Sequence, residues 1–161
     1  MAETREHVVA ATHFVLGPSN FVVLRLPPNW DLRLGRHPMD IDYTIAYDGV
    51  RWAQEGRASA LLVDAKARRA IELSIQTARN SIPPPKLLES EAGTASLGGH
   101  TASFVIGTQD LGFFGTKRYT TLRISYRCEE TKRLIDMRFM HRGDRATLLG
   151  LIKPLERCRC H

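Results

Sequence analysis

Residues 117–141 read KRYTTLRISYRCEETKRLIDMRFMH, two β-branched and aromatic runs on either side of a polar Glu-Glu-Thr. Successive residues of a strand point to opposite faces, so Leu122, Ile124, Tyr126 and Cys128 share one face. Ile135, Met137 and Phe139 continue that face across a turn centred on Glu130-Thr131. The same register sets Arg123 opposite Arg138 and Ser125 opposite Asp136 on the other face. A long hairpin with one apolar and one arginine-bearing face is therefore expected.

On the C-terminal side, Asp144 is placed to cap a helix by accepting orphan backbone N–H groups. Leu148, Leu151 or Ile152, and Leu155 follow at helical spacing. Pro154 lacks an N–H and should bend that helix or end it near Lys153. The helix is expected to pack on the face carrying Leu122, Ile124, Ile135 and Met137.

On the N-terminal side, HTASFVIGT reads as a strand and QDLGFFG as a loop. Residues 80–99 read as loop, stiff at SIPPPK and flexible at GTASLGG. Further back, Ile71, Leu73 and Ile75 alternate with Glu72, Ser74 and Gln76 as in a half-buried strand. The preceding ASALLVDAK fits a strand or a helical turn. Asp48-Gly49 carries a tight-turn signal, with Tyr47 facing Val50 and Ile45 facing Trp52. THFVL and NFVVLRL read as strands joined at GPS, and the prolines of PPNW end the pairing. About seven or eight strands and one helix predict an α+β fold, a single domain over 1–161 built on a mainly antiparallel sheet with flanking helices.

The succession FVVLRLPPNW, LGGHTASFVIGT, KRYTTLRISYRCEETKRLIDMRF and ATLLGLIKPLERC resembles the PsbP-like fold family. That family includes the photosystem extrinsic protein PsbP, a Ran-binding import factor and small prokaryotic proteins. Its structural positions fall on Pro27, Pro28 and Trp30, on Gly98 and Gly99, and on residues 118–140 and 145–155. The resemblance implies an α/β/α sandwich, generally without catalysis, and no single partner. The chain departs from it in the cysteine-rich tail, and it carries no acidic Ran-facing cluster.

Hydrophobic content of 43% and charged content of 25% are those of an ordinary globular domain. No apolar run approaches the roughly 20 residues of a membrane span. The opening MAETREHVV mixes charges before any apolar stretch, unlike a secretory signal, so a cytoplasmic location is expected. Asn and Gln total six, a scarcity that fits a thermophilic source. The net charge is +6, with 18 arginines against 5 lysines. A basic balance admits nucleic acid or an acidic protein as partner, and arginines spread over a solvated surface account for it equally well.

The tail LERCRCH holds two of the three cysteines. Extended, it would turn Cys158 and Cys160 one way and Arg157 and Arg159 the other. Three readings stay open. Cys128 could bond Cys158 or Cys160, since the returning helix ends where the Cys128 strand ends. Cys128, Cys158, Cys160 and His161 could hold zinc, although structural sites space paired cysteines by two to four residues. The thiols could also simply be packed as small hydrophobes.

On the hairpin's second face, Tyr119, Arg123, Arg127 and Arg138 form a candidate surface for an anionic partner, with Tyr119 for stacking. Exposure to water, or a helix packed over this face and supplying carboxylates, is the alternative. His100 after Gly98-Gly99 is weak evidence for an anion site, because turns need glycine anyway. Asp40, Asp42 and Asp48 suggest no acid–base pair, and no nucleophile elbow is present. No catalytic residue and no cofactor is assigned. The expectation is a small non-enzymatic binding or accessory protein with a protein partner. The alternatives are a basic nucleic-acid-associated protein and a small hydrolase with an unrecognised site.

Overall fold

The structure, a computed structural model, describes residues 3–13, 17–34, 46–47, 50–54, 57–111, 113–115 and 117–160. Among them the chain runs β1 (Arg5–His13), β2 (Gly17–Leu26), β3 (Asp31–Leu34), β4 (Ala46–Tyr47), β5 (Val50–Gln54) and β6 (Arg57–Asp64). It continues through β7 (Arg69–Ala78), β8 (Leu88–Leu97), β9 (His100–Leu111), β10 (Lys117–Cys128) and β11 (Arg133–His141). Two short helical turns close it, α1 (Arg145–Leu149) and α2 (Ile152–Leu155). One sheet has the order β2-β1-β5-β4 and the other β3-β6-β7-β11-β10-β9-β8. Pairing is antiparallel except between β1 and β5.

The expected α+β domain with flanking helices, and with it the α/β/α sandwich, is overturned. The protein is a β-rich, mostly antiparallel two-sheet structure. The C-terminal helical pattern breaks at Gly150-Leu151, earlier than the end expected near Lys153, and Pro154 lies inside α2. Pro154 has no N–H to give the carbonyl of Gly150, four residues back. Leu151 instead bonds the Leu148 carbonyl at 3.0 Å, and α2 starts afresh. Asp144 does cap α1, accepting from the backbone N–H of Thr147 at 3.0 Å.

Segments read as ambiguous or as loop are the second cause. Residues 57–64 form β6, and residues 88–97, read as loop, form the edge strand β8. Its sequence, LESEAGTASL, is poor in β-formers. It pairs because Gly98 and Gly99, both at positive φ (57° and 84°), turn it tightly onto β9. Gly93 leaves room for Phe104, whose ring a Cβ there would meet at 2.5 Å. Glu89 and Glu91 put charge on the open edge. At the other end, β1 begins at Arg5 rather than in THFVL, and Gly17–Ser19 belong to β2 rather than to a turn. The Asp48-Gly49 turn, Tyr43, Ile45, Asp40 and Asp42 lie outside the described residues, while Tyr47 does pair with Val50.

The hairpin register is the one its pattern dictates. Leu122 faces Phe139, Ile124 faces Met137 and Tyr126 faces Ile135, all buried. At Trp30, itself buried, the chain leaves β2 and enters the larger sheet as β3, so Pro27 and Pro28 mark the crossing between sheets. Val22, Leu24 and Leu26 of β2 share one core with the inner face of the larger sheet and with Leu148, Leu151 and Leu155. α1 packs against β10 and α2 against β2. The opposite, outer face of the larger sheet carries the arginines.

Candidate functional site

In-register residues of neighbouring strands share a face, so the pairings lay out the outer face in rows. One row runs Ser74, Arg138, Arg123, and the next runs Arg33, Leu61, Glu72, Met140, Thr121. These adjacent rows have different fates.

In the first row, Arg123 and Arg138 both bond the carboxylate of Asp136, which is 1% exposed. The Arg138 contact measures 2.9 Å. Their remaining N–H groups reach the carbonyls of Ile82 and Pro83, from the segment that crosses this end of the sheet. A buried carboxylate thus draws two arginines together that would otherwise repel. Arg127 is exposed and donates to the Lys132 carbonyl at 3.1 Å within its own turn. Of the four residues read as an anionic-partner face, Arg123 and Arg138 are therefore committed to Asp136, and Arg127 to the turn. Tyr119 lies at the far end, with the Arg142 guanidinium 5.2 Å over its ring.

Tyr119 belongs instead to a groove of about 620 Å³ beside the second row. Leu61, Val63 and Met140 line it with apolar surface, and Arg33, Arg68, Arg69 and Arg142 bring guanidinium groups to it. Asp64 anchors one side. Its buried carboxylate accepts from Ala67 N–H at 3.1 Å, Arg69 at 2.9 Å and Asn29 at 2.9 Å. Those bonds, the Ala67 N–H foremost, hold the carboxyl down at about 2. Arg69 also lies 5.3 Å over Trp30, so it is doubly fixed. Arg33, Arg68 and Arg142 are exposed, Arg33 lying 3.5 Å from the exposed Asp31 carboxylate, and Glu72 is a further exposed carboxylate lining the groove. His141 bonds the Ala70 carbonyl at 3.0 Å, and Thr120 bonds that of Gly143 at 2.8 Å, which fixes the bend presenting Arg142.

A second cluster forms where the tail meets the β8–β9 turn. The backbone of Arg159 exchanges two 2.8 Å bonds with Val23, and Gly98 N–H donates to the Glu156 carbonyl at 2.9 Å. That N–H is therefore spent, whatever an anion at Gly98-Gly99 would ask of it. A Cβ on Gly98 would lie 2.3 Å from the Cys158 carbonyl, so only glycine lets the tail come this close. Cys158 and Cys160 point inward, and Arg157 and Arg159 outward. Cys128 and Cys160 are joined as a disulfide with their α-carbons 6.2 Å apart. Cys158 is a buried thiol 3.9 Å from the Tyr126 hydroxyl. Burial pushes that thiol up to about 11 and the Tyr126 phenol upward as well. His100 stacks on Tyr126 at 5.7 Å and sets Nε2 3.5 Å from the Cys160 sulfur. His161 lies outside the described residues.

No protein-family model and no curated protein matches the chain. Sequence reasoning missed Arg33, Arg68, Arg69 and Arg142 as a group, because they come from three separate places in the chain, and only Arg68 and Arg69 are neighbours in sequence. It also missed His100 as the partner of the cysteines. The Gly98-Gly99 turn was the available signal, since it reverses the chain directly before His100.

Proposed function

We propose that the protein is a non-enzymatic binding protein that holds an acidic, partly apolar segment of a partner protein in the outer-face groove. The observation that carries this reading is an apolar floor bordered by the exposed guanidinium groups of Arg33, Arg68 and Arg142. Arginine forks recognise carboxylates in pairs, and the floor of Leu61, Val63 and Met140 offers apolar side chains a place to bury. A nucleic-acid strand is the second reading, favoured by the net charge of +6. It is less well supported, because the aromatic face at the groove, Tyr119, is covered by Arg142.

Fluorescence anisotropy with two labelled probes separates these readings: a peptide alternating glutamate and leucine, and a single-stranded oligonucleotide. The peptide is expected to bind, to weaken at least about tenfold in a variant with Arg33, Arg68 and Arg142 changed to glutamate, and to tolerate salt better than the oligonucleotide. Tighter oligonucleotide binding with a steep salt slope, lost in the same variant, would establish the nucleic-acid reading instead. Binding of neither probe would reject the groove as a site for acidic partners.

A further inference from the structure

A ring nitrogen of His100 and the sulfurs of the buried Cys128 and Cys160 all lie within 4.8 Å of one another, with Nε2 3.5 Å from the Cys160 sulfur. Three features make this more than a disulfide with a neighbour. Two soft thiolates and an imidazole are the donor set zinc prefers. The His100 ring is oriented by its stack on Tyr126, as metal-binding imidazoles are usually held by a further contact. The three donors come from β9, β10 and the tail, which the backbone bonds at Val23 and Gly98 lock in place.

We propose that, with the Cys128–Cys160 bond reduced, this cluster is a Zn²⁺ site built by Cys128, Cys160 and His100, with water in the fourth position. Zinc–sulfur bonds of about 2.3 Å set two tetrahedral thiolates roughly 3.8 Å apart. With the α-carbons 6.2 Å apart, rotation of the two side chains reaches that separation without moving the backbone. Water enters from the side of His100, which is only half-buried. Cys158 takes no part, since its thiol is directed to the Tyr126 hydroxyl.

The bond and the metal exclude each other, so the site is gated by thiol–disulfide exchange. A dithiol reductant passes two electrons and two protons to the disulfide and becomes a cyclic disulfide, leaving two cysteine thiols. On binding Zn²⁺ the two thiols release two protons and become its ligands. Reoxidation by a disulfide of the same class reverses both steps and expels the ion.

The test uses the full chain, reduced with a dithiol, desalted anaerobically and titrated with Co²⁺ and then with Zn²⁺. The reduced protein should bind one Co²⁺ with thiolate charge-transfer and tetrahedral ligand-field bands that Zn²⁺ abolishes, and the oxidised protein should bind none. H100A should weaken Zn²⁺ at least about tenfold, since losing even an outer partner of a metal ligand costs that much. C158S should leave the cobalt spectrum unchanged. Absence of metal binding by the reduced chain overturns the proposal, as does unchanged affinity in H100A or loss of the spectrum in C158S. If reduction unfolds the chain, recovery of its circular dichroism on adding Zn²⁺ supports the site, and failure to recover overturns it.

Discussion

Two groups of arginines lie on the outer side of one sheet, Arg123 and Arg138 within one row and Arg33, Arg68 and Arg142 around the groove beside the next. Arg123 and Arg138 converge on the Asp136 carboxylate beneath Ile82 and Pro83 and are largely withdrawn from water. Arg33, Arg68 and Arg142 stand in water around the groove. The residue type is the same. What differs is the acid beside them: Arg123 and Arg138 share the buried Asp136 under a covering segment, whereas the buried carboxylate at the groove, Asp64, bonds Arg69 and Asn29, and Arg33 meets the exposed Asp31. Arginine charge becomes structure where an acid is desolvated beside it, and it stays available for a partner where none is. Arg69 is the intermediate case, lining the groove while paired with Asp64.

The contrast breaks most visibly at Asp136. Asp136→Ala leaves two half-buried guanidinium groups without their carboxylate and should cost about 3–5 kcal/mol, read from the midpoint of urea unfolding. A loss below about 1 kcal/mol would show that the triad is solvated after all.

Removing the whole charged group sharpens the point. Replacing Arg123 and Arg138 by methionine together with Asp136 by leucine should recover most of that loss and could add about 1–4 kcal/mol beyond wild type. A triple variant as unstable as Asp136→Ala would mean that the guanidinium bonds to Ile82 and Pro83 matter more than charge pairing.

Acid titration tests the intermediate case. The Asp64 carboxyl is held below its ordinary value of 3.8, at about 2, so its contribution to stability is complete above pH 4 and is lost as pH falls through 2. Stability should therefore decline across that window, and Asp64→Asn should flatten this part of the curve. An unchanged acid profile in Asp64→Asn would remove Asp64 as an anchor.

The smallest effect belongs to the groove itself. Arg33→Ala, Arg68→Ala and Arg142→Ala should each change stability by less than about 0.5 kcal/mol, as exposed sites do. Each should still weaken the acidic peptide. A stability loss above about 1 kcal/mol in any of them would move that arginine into the structural class.

Much of the larger sheet was legible in the sequence. The alternation in residues 117–141 specified which side chains are buried and which residues face each other, including Arg123 with Arg138 and Ser125 with Asp136. It was legible because a strand's period of two admits only one choice of face, and a one-residue slip would expose Leu122, Ile124 and Met137 together. β8 was not legible, because an edge strand is paired on one side, faces water and tolerates the small polar residues of a loop. The short parallel contact of β1 with β5 left no mark either, since its partners lie far apart in the chain.

The candidate sites divide in the same way. Cys128 and the tail cysteines drew notice by residue type alone, and Gly98-Gly99 announced a turn. Which cysteine bonds Cys128, and that His100 stands beside the pair, depended on where the tail docks. The backbone bonds to Val23 and Gly98 decide that position. By itself the sequence determined the local periodic features: strand faces, hairpin register and the Asp144 cap. Only the tertiary structure decided that Asp136 would bury two arginines while others stayed in water, and that His100 would meet Cys128 and Cys160. Those outcomes rest on segments dozens of residues away, Ile82-Pro83 over the hairpin's arginines and the tail against His100, and burial and desolvation, which set their energies, exist only once the sheets have packed.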